Sequence, residues 1–402
     1  MTRRSTQYPL NTPSQDHSAG SGRAALYLVV PGDLETRTGG YGYDRRIIAG
    51  LRARGWRVNV VGLDDSFPTP TPPARDHAAR LLAAIPDGSL VLMDGLALGA
   101  LPDEIEREAE RLRIVALVHH PLAAETGIDP ALASLLQSSE RRALAASQSV
   151  VVTSRATAAA LAAYGVTAAR LTVVEPGTDT APLARGSAGA VVAQAFRPAV
   201  EATAALGCAT SSGESQAPSP EPTVVSLLCV ATLTPRKGYE LLVRALAAVP
   251  HRNWRLTCAG SLDRDAATVA RVRAMIRDTG LEDRVSLVGD MNADALASEY
   301  DRADLFVLAT LYEGYGMAVA EALARGLPVV STATGAIEDV VGGGGIVVPP
   351  GDLAAFTAAL SGVIGDARLR ARLAEGASRV RDRLPTWDTA AAAMAQALER
   401  RS

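Results

Sequence analysis

Two series of alternating strands and helices constrain the fold of this chain more than any other feature. Short apolar runs alternate with amphipathic helical stretches from Ala24 onward, and the alternation stops and then starts again. Near-continuous apolar runs are typical of strands covered on both faces, and their alternation with helices favours a parallel sheet. The sequence therefore predicts an α/β protein with two similar halves facing across a cleft. The predicted strands are Ala25–Val30, Arg57–Gly62, Leu90–Asp94, Ile114–Val118, Val150–Thr153 and Leu171–Val174, then Val224–Val230, Arg255–Ala259, Val285–Val288, Leu305–Leu308, Pro328–Ser331 and Gly345–Val348.

Composition divides the chain into five parts. Residues 1–22 are polar and predict a disordered tail, whereas residues 23–182 and 223–384 carry the two series. Residues 183–222 are rich in Gly, Ala, Ser and Pro and predict a linker or insertion, with a helix within Ala190–Leu206. Residues 385–402 predict one last helix that follows Pro385.

Bulk composition excludes several classes of protein. The 402 residues are 48% apolar and 21% charged with a net charge of -3, which is typical of a soluble globular protein that does not bind nucleic acid. No window is long and apolar enough for a membrane span, so we expect a cytoplasmic protein. A weak peripheral contact with a membrane is compatible with this composition. Cys208, Cys229 and Cys258 are expected to be free thiols. Composition does not address the oligomeric state.

Glu313 and Glu321 bracket a glycine-containing turn between a predicted strand and the predicted helix Gly316–Arg325. The free N–H groups of Gly316 and Met317 at the start of such a helix favour an anion. Glu321 lies in an otherwise apolar stretch, where a carboxylate is costly to bury without a partner. The pattern indicates a seat for a sugar attached to a diphosphate; an exposed helical acid is the structural alternative for Glu321.

Arg236 and Lys237 open a helix after the first strand of the second half. Cations gain nothing from the macrodipole at a helix N-terminus, so an anion held between them and that terminus explains them better. A solvated basic pair is the alternative.

Two further features lie at strand ends in the first half. His119 closes the fourth strand, where an imidazole could hydrogen-bond a sugar hydroxyl or a scissile oxygen, or could be a structural histidine. His120 is the more structural of the two. Gly39 and Gly40 allow the backbone to approach a ligand at a helix start, or form a flexible loop into that helix.

These pieces together resemble the family 4 retaining glycosyltransferases of the GT-B fold. The resemblance covers nearly all of Ala24–Arg400 apart from residues 183–222. It implies two Rossmann-like domains, with residues 23–182 binding the acceptor, residues 223–384 binding the nucleotide-sugar donor, and the last helix returning to the N-terminal domain. The matching pieces are Gly39-Gly40, His119, Pro235-Arg236-Lys237-Gly238, the Glu313 to Glu321 segment and Pro350-Gly351-Asp352.

The resemblance also implies an activity. Members transfer a sugar, here expected to be of hexose type, from a nucleotide diphosphate sugar to a hydroxyl of a glycan, lipid-linked saccharide or small molecule, with retention at the anomeric carbon. Such transferases act in polysaccharide or glycoconjugate biosynthesis and need no cofactor or metal. No acidic metal-binding cluster is evident in the sequence.

Roles carry over from the family by position. Arg236 and Lys237 would neutralise the diphosphate, Glu313 and His119 would meet the sugar, and Glu321 would bind the ribose. The remaining donor residues would be Gly40 at the phosphate and acceptor, Gly289, Asp290 and Met291 at the nucleobase, and Tyr315, Gly316 and Met317 in the turn. Many members carry a Gly-Arg pair where this chain has Ala231-Thr232, which leaves more of the phosphate charge to Arg236 and Lys237.

Other functions stay open at this point. A nicotinamide-dependent oxidoreductase needs a three-glycine fingerprint, which is missing after the first strand of both halves. An epimerase or a phosphorylase of the same fold is a smaller alternative. A protein that binds a sugar or nucleotide without catalysis would bind a donor but not turn it over.

Overall fold

Two parallel six-stranded sheets form the framework of the protein. The computed structural model describes residues 25–187 and 224–400. Every strand lies within one residue of its predicted bounds, and the α/β fold with two halves is confirmed. The strand orders are β2-β1-β3-β4-β5-β6 and β12-β11-β10-β7-β8-β9. The strands are β1 Ala25–Pro31, β2 Arg57–Leu63, β3 Leu90–Asp94, β4 Arg113–Val118, β5 Ser149–Val152, β6 Leu171–Val173, β7 Val225–Val230, β8 Trp254–Ala259, β9 Val285–Gly289, β10 Leu305–Leu308, β11 Val329–Thr332 and β12 Gly345–Val348.

Helices cover the faces of both sheets. In the first half they are α1 Gly39–Ala53, α2 Pro72–Ala83, α3 Gly95–Leu98, α4 Pro102–Glu108, α5 Pro130–Ala146 and α6 Arg155–Ala160. In the second half they are α7 Tyr239–Ala248, α8 Ala266–Asp278, α9 Ala293–Arg302, α10 Met317–Leu323, α11 Ile337–Val341, α12 Leu353–Gly365, α13 Ala367–Arg381 and α14 Trp387–Glu399.

Clear local features set the starts of two helices. Helix α1 starts at Gly39, because the Thr38 side chain caps it by accepting the Tyr41 N–H. Helix α10 starts after Gly316, which has φ of 98° and cannot belong to the helix. A Cβ on Gly316 would also lie 2.4 Å from the Ile337 side chain, so the turn requires glycine.

The last helix lies on the first half, as predicted. Helix α14 packs against α1, and the approach is close enough that a Cβ on Gly50 would lie 2.4 Å from Ala391 Cβ. Its first residue, Trp387, contacts the Tyr43 ring edge to face at 6.1 Å. The last described helix therefore packs on the half that holds the first described strand.

Some predictions fall outside the described residues, namely the tail 1–22, Cys208, the helix within Ala190–Leu206 and the rest of residues 188–222. Cys229 and Cys258 are both buried free thiols, as expected. Within residues 25–187 and 224–400, each helix is too short or too polar to cross a bilayer.

Candidate active site

The carboxyl ends of the two sheets bring the predicted residues together in one cleft. His119 follows β4, Arg236 and Lys237 form a single 3-10 turn after β7, and Glu313 lies in the loop between β10 and α10. Parallel strands present all their carboxyl ends at one edge, where ligands of such folds bind. The two halves touch here: a Cβ on Gly314 would lie 2.5 Å from the His119 carbonyl oxygen.

Lys237 and Glu313 form the central ion pair of the cleft. Their Nζ and Oε2 atoms lie 2.5 Å apart, and both side chains are largely buried. Lys237 is also the only lysine in the whole sequence. Burial favours the neutral form of Glu313, but Lys237 and Arg236 outweigh it and hold the pKa of this carboxyl below its ordinary value.

Arg236 reaches a carboxylate of the opposite half. Its Nε lies 3.2 Å from Glu125 Oε1, and its guanidinium also donates to the Tyr312 carbonyl at 3.2 Å. Burial raises the pKa of Glu125, but His120 and Arg236 together hold it below its ordinary value. His120 is thus part of the contact between the halves, because it also packs against the Tyr312 ring.

The turn that carries these cations depends on Gly238. Its φ is 64°, and a Cβ there would lie 2.0 Å from the Ala309 carbonyl oxygen. Only glycine therefore lets the chain leave the 3-10 turn and start α7 in this position. The local sequence Pro235–Gly238 fixes where the two cations point.

The start of α1 covers His119. A Cβ on Gly40 would lie 3.5 Å from the imidazole, and one on Gly39 would lie 3.9 Å from the Met317 sulfur at the start of α10. The first turn of α1 in one half thus faces the first residue of α10 in the other. The fold thus brings together Gly40, His119 and Met317, which were predicted to belong to one site.

Glu321 lines a cavity of about 230 Å³ between the halves. Burial raises the pKa of its carboxyl, and the Tyr300 hydroxyl donates to it at 3.1 Å. Arg46, Met317 and Trp387 also line this cavity. The carboxylate is not an exposed helical acid, so the structural alternative for Glu321 is wrong.

The remaining predicted donor residues have different settings. Gly289 ends β9 with φ of 74°, and the Met291 carbonyl oxygen accepts a hydrogen bond from Arg37 across the cleft. Tyr315 is buried in the core of the second half with 7% exposure. Its ring packs in the hydrophobic core of that half, and its role toward the donor stays a prediction.

Two buried acids beside His119 were missed by the sequence prediction. His119 Nε2 lies 3.4 Å from Asp44 Oδ1 and 3.6 Å from Asp94 Oδ2, and both carboxylates are at most 2% exposed. The sequence shows no acidic cluster, but the structure places possible metal-ligand atoms of these three residues within 4.8 Å of one another. One signal was present: Asp94 closes an apolar strand in the same way as His119 does.

Two family models match the chain. The model described as Glycosyltransferase Family 4 matches residues 93–182, and the one described as Glycosyl transferases group 1 matches residues 225–366, so together they cover more than half of the sequence. The chain belongs to the family 4 glycosyltransferases. This family of transferase enzymes has the GT-B fold that the two sheets and the returning helix display.

Curated relatives agree with this assignment. The chain is 33% identical over 271 residues to the D-inositol 3-phosphate glycosyltransferase of Xylanimonas cellulosilytica, an alignment that covers 65% of this chain and 60% of that relative. It is 32% identical over 117 residues to the mannosylfructose-phosphate synthase of Agrobacterium fabrum, which covers 28% of this chain and 26% of that relative. The alignments thus span less than two thirds of these relatives.

Solved structures share the fold of this family 4 glycosyltransferase. Sucrose-phosphate synthase from Thermosynechococcus elongatus superposes with a TM-score of 0.72 at 21% identity, over 94% of this chain and 99% of that one. Anabaena HepE in complex with UDP-glucose gives 0.69 at 18% identity, over 94% and 100%.

Proposed function

We propose that this protein transfers a sugar of hexose type from a nucleotide diphosphate sugar to a hydroxyl group, with retention at the anomeric carbon. The observation that carries the proposal is the placement of Arg236 and Lys237. Both cations lie at the carboxyl edge of the second sheet and are largely buried, and Arg236 reaches Glu125 of the first half across the cleft. The membership of the chain in the family 4 glycosyltransferases supports the same reaction class.

A diphosphate fits the charge of this cleft. Arg236 and Lys237 are compensated here by Glu125 and Glu313, and Glu125 is the more exposed acid, at 40% against 16%. An incoming diphosphate can replace Glu125 on Arg236 while Lys237 stays on Glu313. The diphosphate then gains charge-assisted hydrogen bonds from Arg236, Lys237 and the free N–H groups at the start of α1.

The same contacts assist the chemical step. Negative charge builds up on the departing phosphate oxygens as the bond to the sugar breaks, and fixed donors aimed at those oxygens stabilise the transition state. The acceptor hydroxyl attacks from the face that the diphosphate leaves and gives its proton to a phosphate oxygen. We assign no covalent nucleophile, because Glu313 is engaged by Lys237.

His119, Glu313 and Glu321 then divide the donor between them. His119 and Glu313 meet the sugar hydroxyls, and Glu321 accepts the ribose hydroxyls in its cavity. Met291 and Gly289 lie where the nucleobase is expected. The acceptor is a glycan, a lipid-linked saccharide or a small molecule, bound mainly by the first half, in the cytoplasm or at a membrane surface.

A panel of nucleotide sugars tests this function. We expect one or more of them to raise the melting temperature of the protein and to release a nucleoside diphosphate slowly by hydrolysis, without added metal. Lys237→Ala should slow this release, and Arg273→Ala, on the exposed side of α8, is the matched control that should not. Binding without any release of nucleoside diphosphate, with or without acceptors, would leave a binding protein rather than a transferase.

A further inference from the structure

His119 turns its Nε2 atom toward two buried carboxylates that have few other partners. Neither oxygen of Asp44 has a hydrogen-bond partner among the described residues, although the residue is 1% exposed. Asp94 accepts one hydrogen bond, from the Leu96 N–H at 2.7 Å, which caps α3. Unpaired buried carboxylates are costly, so a positive charge or protons must compensate them.

The imidazole is the group placed to supply that charge. Its Nε2 faces both acids at ion-pair distance, and its side chain keeps 19% exposure toward the cleft. In the described part of the chain no other nitrogen cation forms an ion pair with Asp44 or Asp94. An imidazolium turned in this way keeps its second ring N–H for another acceptor.

We propose that Asp44 and Asp94 are positioning residues that hold His119 as an imidazolium, so that a charged N–H donates to an oxygen of the transferred sugar. The role toward the sugar rests on the proposed function, whereas the charge state of His119 does not. A charged donor makes a shorter and stronger hydrogen bond than a neutral one.

The other groups around the imidazole do not oppose this arrangement. Tyr43 on α1 contacts its ring edge to face at 5.4 Å, and Tyr41 on the same helix bonds to the Pro31 carbonyl at 2.6 Å. From the second half, Glu313 lies in the loop that touches the His119 backbone, and Lys237 compensates it. On the other side of the cluster, His120 is occupied by Glu125.

The electrostatics agree with the geometry. Burial lowers the pKa of His119, but Asp44 and Asp94 together raise it above its ordinary value. Burial, and then the charge of Asp44, raise the pKa of Asp94 to about 7. The cluster therefore keeps its protons to higher pH than separate groups would.

A divalent cation is the alternative occupant of the same three ligand atoms. A metal needs an unprotonated Nε2, whereas the proposal needs a protonated one. The protonation state of His119 therefore decides between the two.

The first experiment is NMR on the full chain with ¹⁵N-labelled histidine, the His119 signals being assigned with His119→Gln. We expect the imidazolium pattern at neutral pH and a midpoint that moves to lower pH in Asp44→Asn and in Asp94→Asn. Asp278→Asn, an exposed acid on α8, should leave the midpoint unchanged. A neutral His119 at pH 7, or equal midpoints in wild type and both variants, overturns the proposal. So does selective broadening of the His119 signals by micromolar Mn²⁺ that Asp44→Asn abolishes.

The second experiment measures nucleoside diphosphate release with the best donor of the panel. Both Asp→Asn variants should lower kcat/KM roughly tenfold, the size of one weakened hydrogen bond from a charged group to the sugar, and should shift the alkaline limb of the kcat/KM profile to lower pH. Unchanged kcat/KM and profile in both overturn the contact with the sugar. Asp94→Asn keeps an oxygen that caps α3, so this variant alone can carry the test if Asp44→Asn fails to fold. A wild-type protein that binds no nucleotide sugar but keeps the imidazolium signal refutes the proposed function alone.

Discussion

Glu125 and Arg236 form an ion pair from one half of the protein to the other, with 3.2 Å between Glu125 Oε1 and Arg236 Nε. Glu125 sits in the loop after β4, whereas Arg236 follows β7. A carboxylate thus occupies the place that we assign to a diphosphate oxygen.

Removing this carboxylate should strengthen nucleotide binding. Glu125→Gln frees Arg236 from a competing charge, and partly exposed ion pairs contribute up to about 1 kcal/mol, so we expect the Kd for the nucleoside diphosphate to fall by up to about fivefold. Calorimetry at low and high salt measures this effect, which should shrink at high salt. Glu106→Gln, which removes an exposed partner of Arg142, is the control. Weaker binding by Glu125→Gln contradicts the assignment.

The only lysine of the chain gives a chemical test of the diphosphate site. Lys237→Ala should lower donor turnover at least roughly tenfold, because a transition-state charge contact is lost and Glu313 is left buried and unpaired. Acetylation, which removes the charge, should inactivate the wild type, and reductive methylation, which keeps the charge, should inactivate it less.

A Lys237→Arg protein offers only its terminal amine to the same reagents, so acetylation should not change whatever activity it keeps. Equal turnover by Lys237→Ala and wild type across the donor panel would remove the phosphate role.

Glu321 should recognise the ribose rather than the phosphates. Glu321→Gln should raise the Kd for a nucleoside diphosphate roughly tenfold. A change of this size corresponds to the loss of one or two hydrogen bonds to a charged group. Its affinity for inorganic pyrophosphate should not change. Calorimetry with both ligands separates these effects, and unchanged nucleotide affinity would be evidence against the ribose role.

Glu140 makes the stability of the first half depend on pH. Burial raises the pKa of this carboxyl to about 8, despite hydrogen bonds from the Leu122 N–H and Tyr164. The folded-state pKa is raised, so its contribution is fully present below the unfolded pKa and is lost as pH rises through about 8.

Glu140→Gln removes that loss. Its free energy of unfolding relative to wild type should therefore increase between about pH 4.5 and 8, by an amount on the order of 1 to 3 kcal/mol, and be flat outside this range. Urea unfolding at pH 5 and 8.5 measures the difference. Glu110→Gln, at an exposed acid, should show no such trend.

Gly314 sets how closely the two halves approach. A methyl group in Gly314→Ala would lie 2.5 Å from the His119 carbonyl oxygen, so the cleft must open slightly to admit it. We expect turnover to fall roughly tenfold, because small misplacements of reacting groups are costly, with little change in melting temperature. Gly343→Ala is the control, since a Cβ there meets nothing within 4 Å. Full activity of Gly314→Ala would show that this approach is not needed for turnover.

Most strands could be read from the sequence because they are apolar runs covered on both faces, whereas β2 and β9 also carry exposed residues. The helix starts were harder, since the Thr38 cap and the positive φ of Gly316 act over a single residue. His119, Arg236, Lys237 and Glu313 were found because polar residues at strand ends of a parallel sheet must share one edge.

Asp44 was out of reach for a different reason. It lies among the buried residues of α1, between Tyr43 and Ile47, and nothing in the sequence says which strand end that face meets. Tyr315 is the opposite case, because its place in the Glu313 to Glu321 segment does not reveal that its ring packs in the core of the second half. For Asp44 and for Tyr315, the neighbouring residues in the sequence do not show what the side chain packs against.

Among the described residues, the segment that follows β6 and the segment that leads into α14 both run from one half to the other. The two passages run side by side, since the Thr178 N–H donates to the Pro385 carbonyl at 2.7 Å and a Cβ on Gly177 would collide with Trp387. Two connecting segments at one place form a hinge, which permits rotation about that place but resists sliding and twisting of the halves. Entry of substrates and exit of products would then require the far rim to swing, while the residues beside Trp387 hardly move.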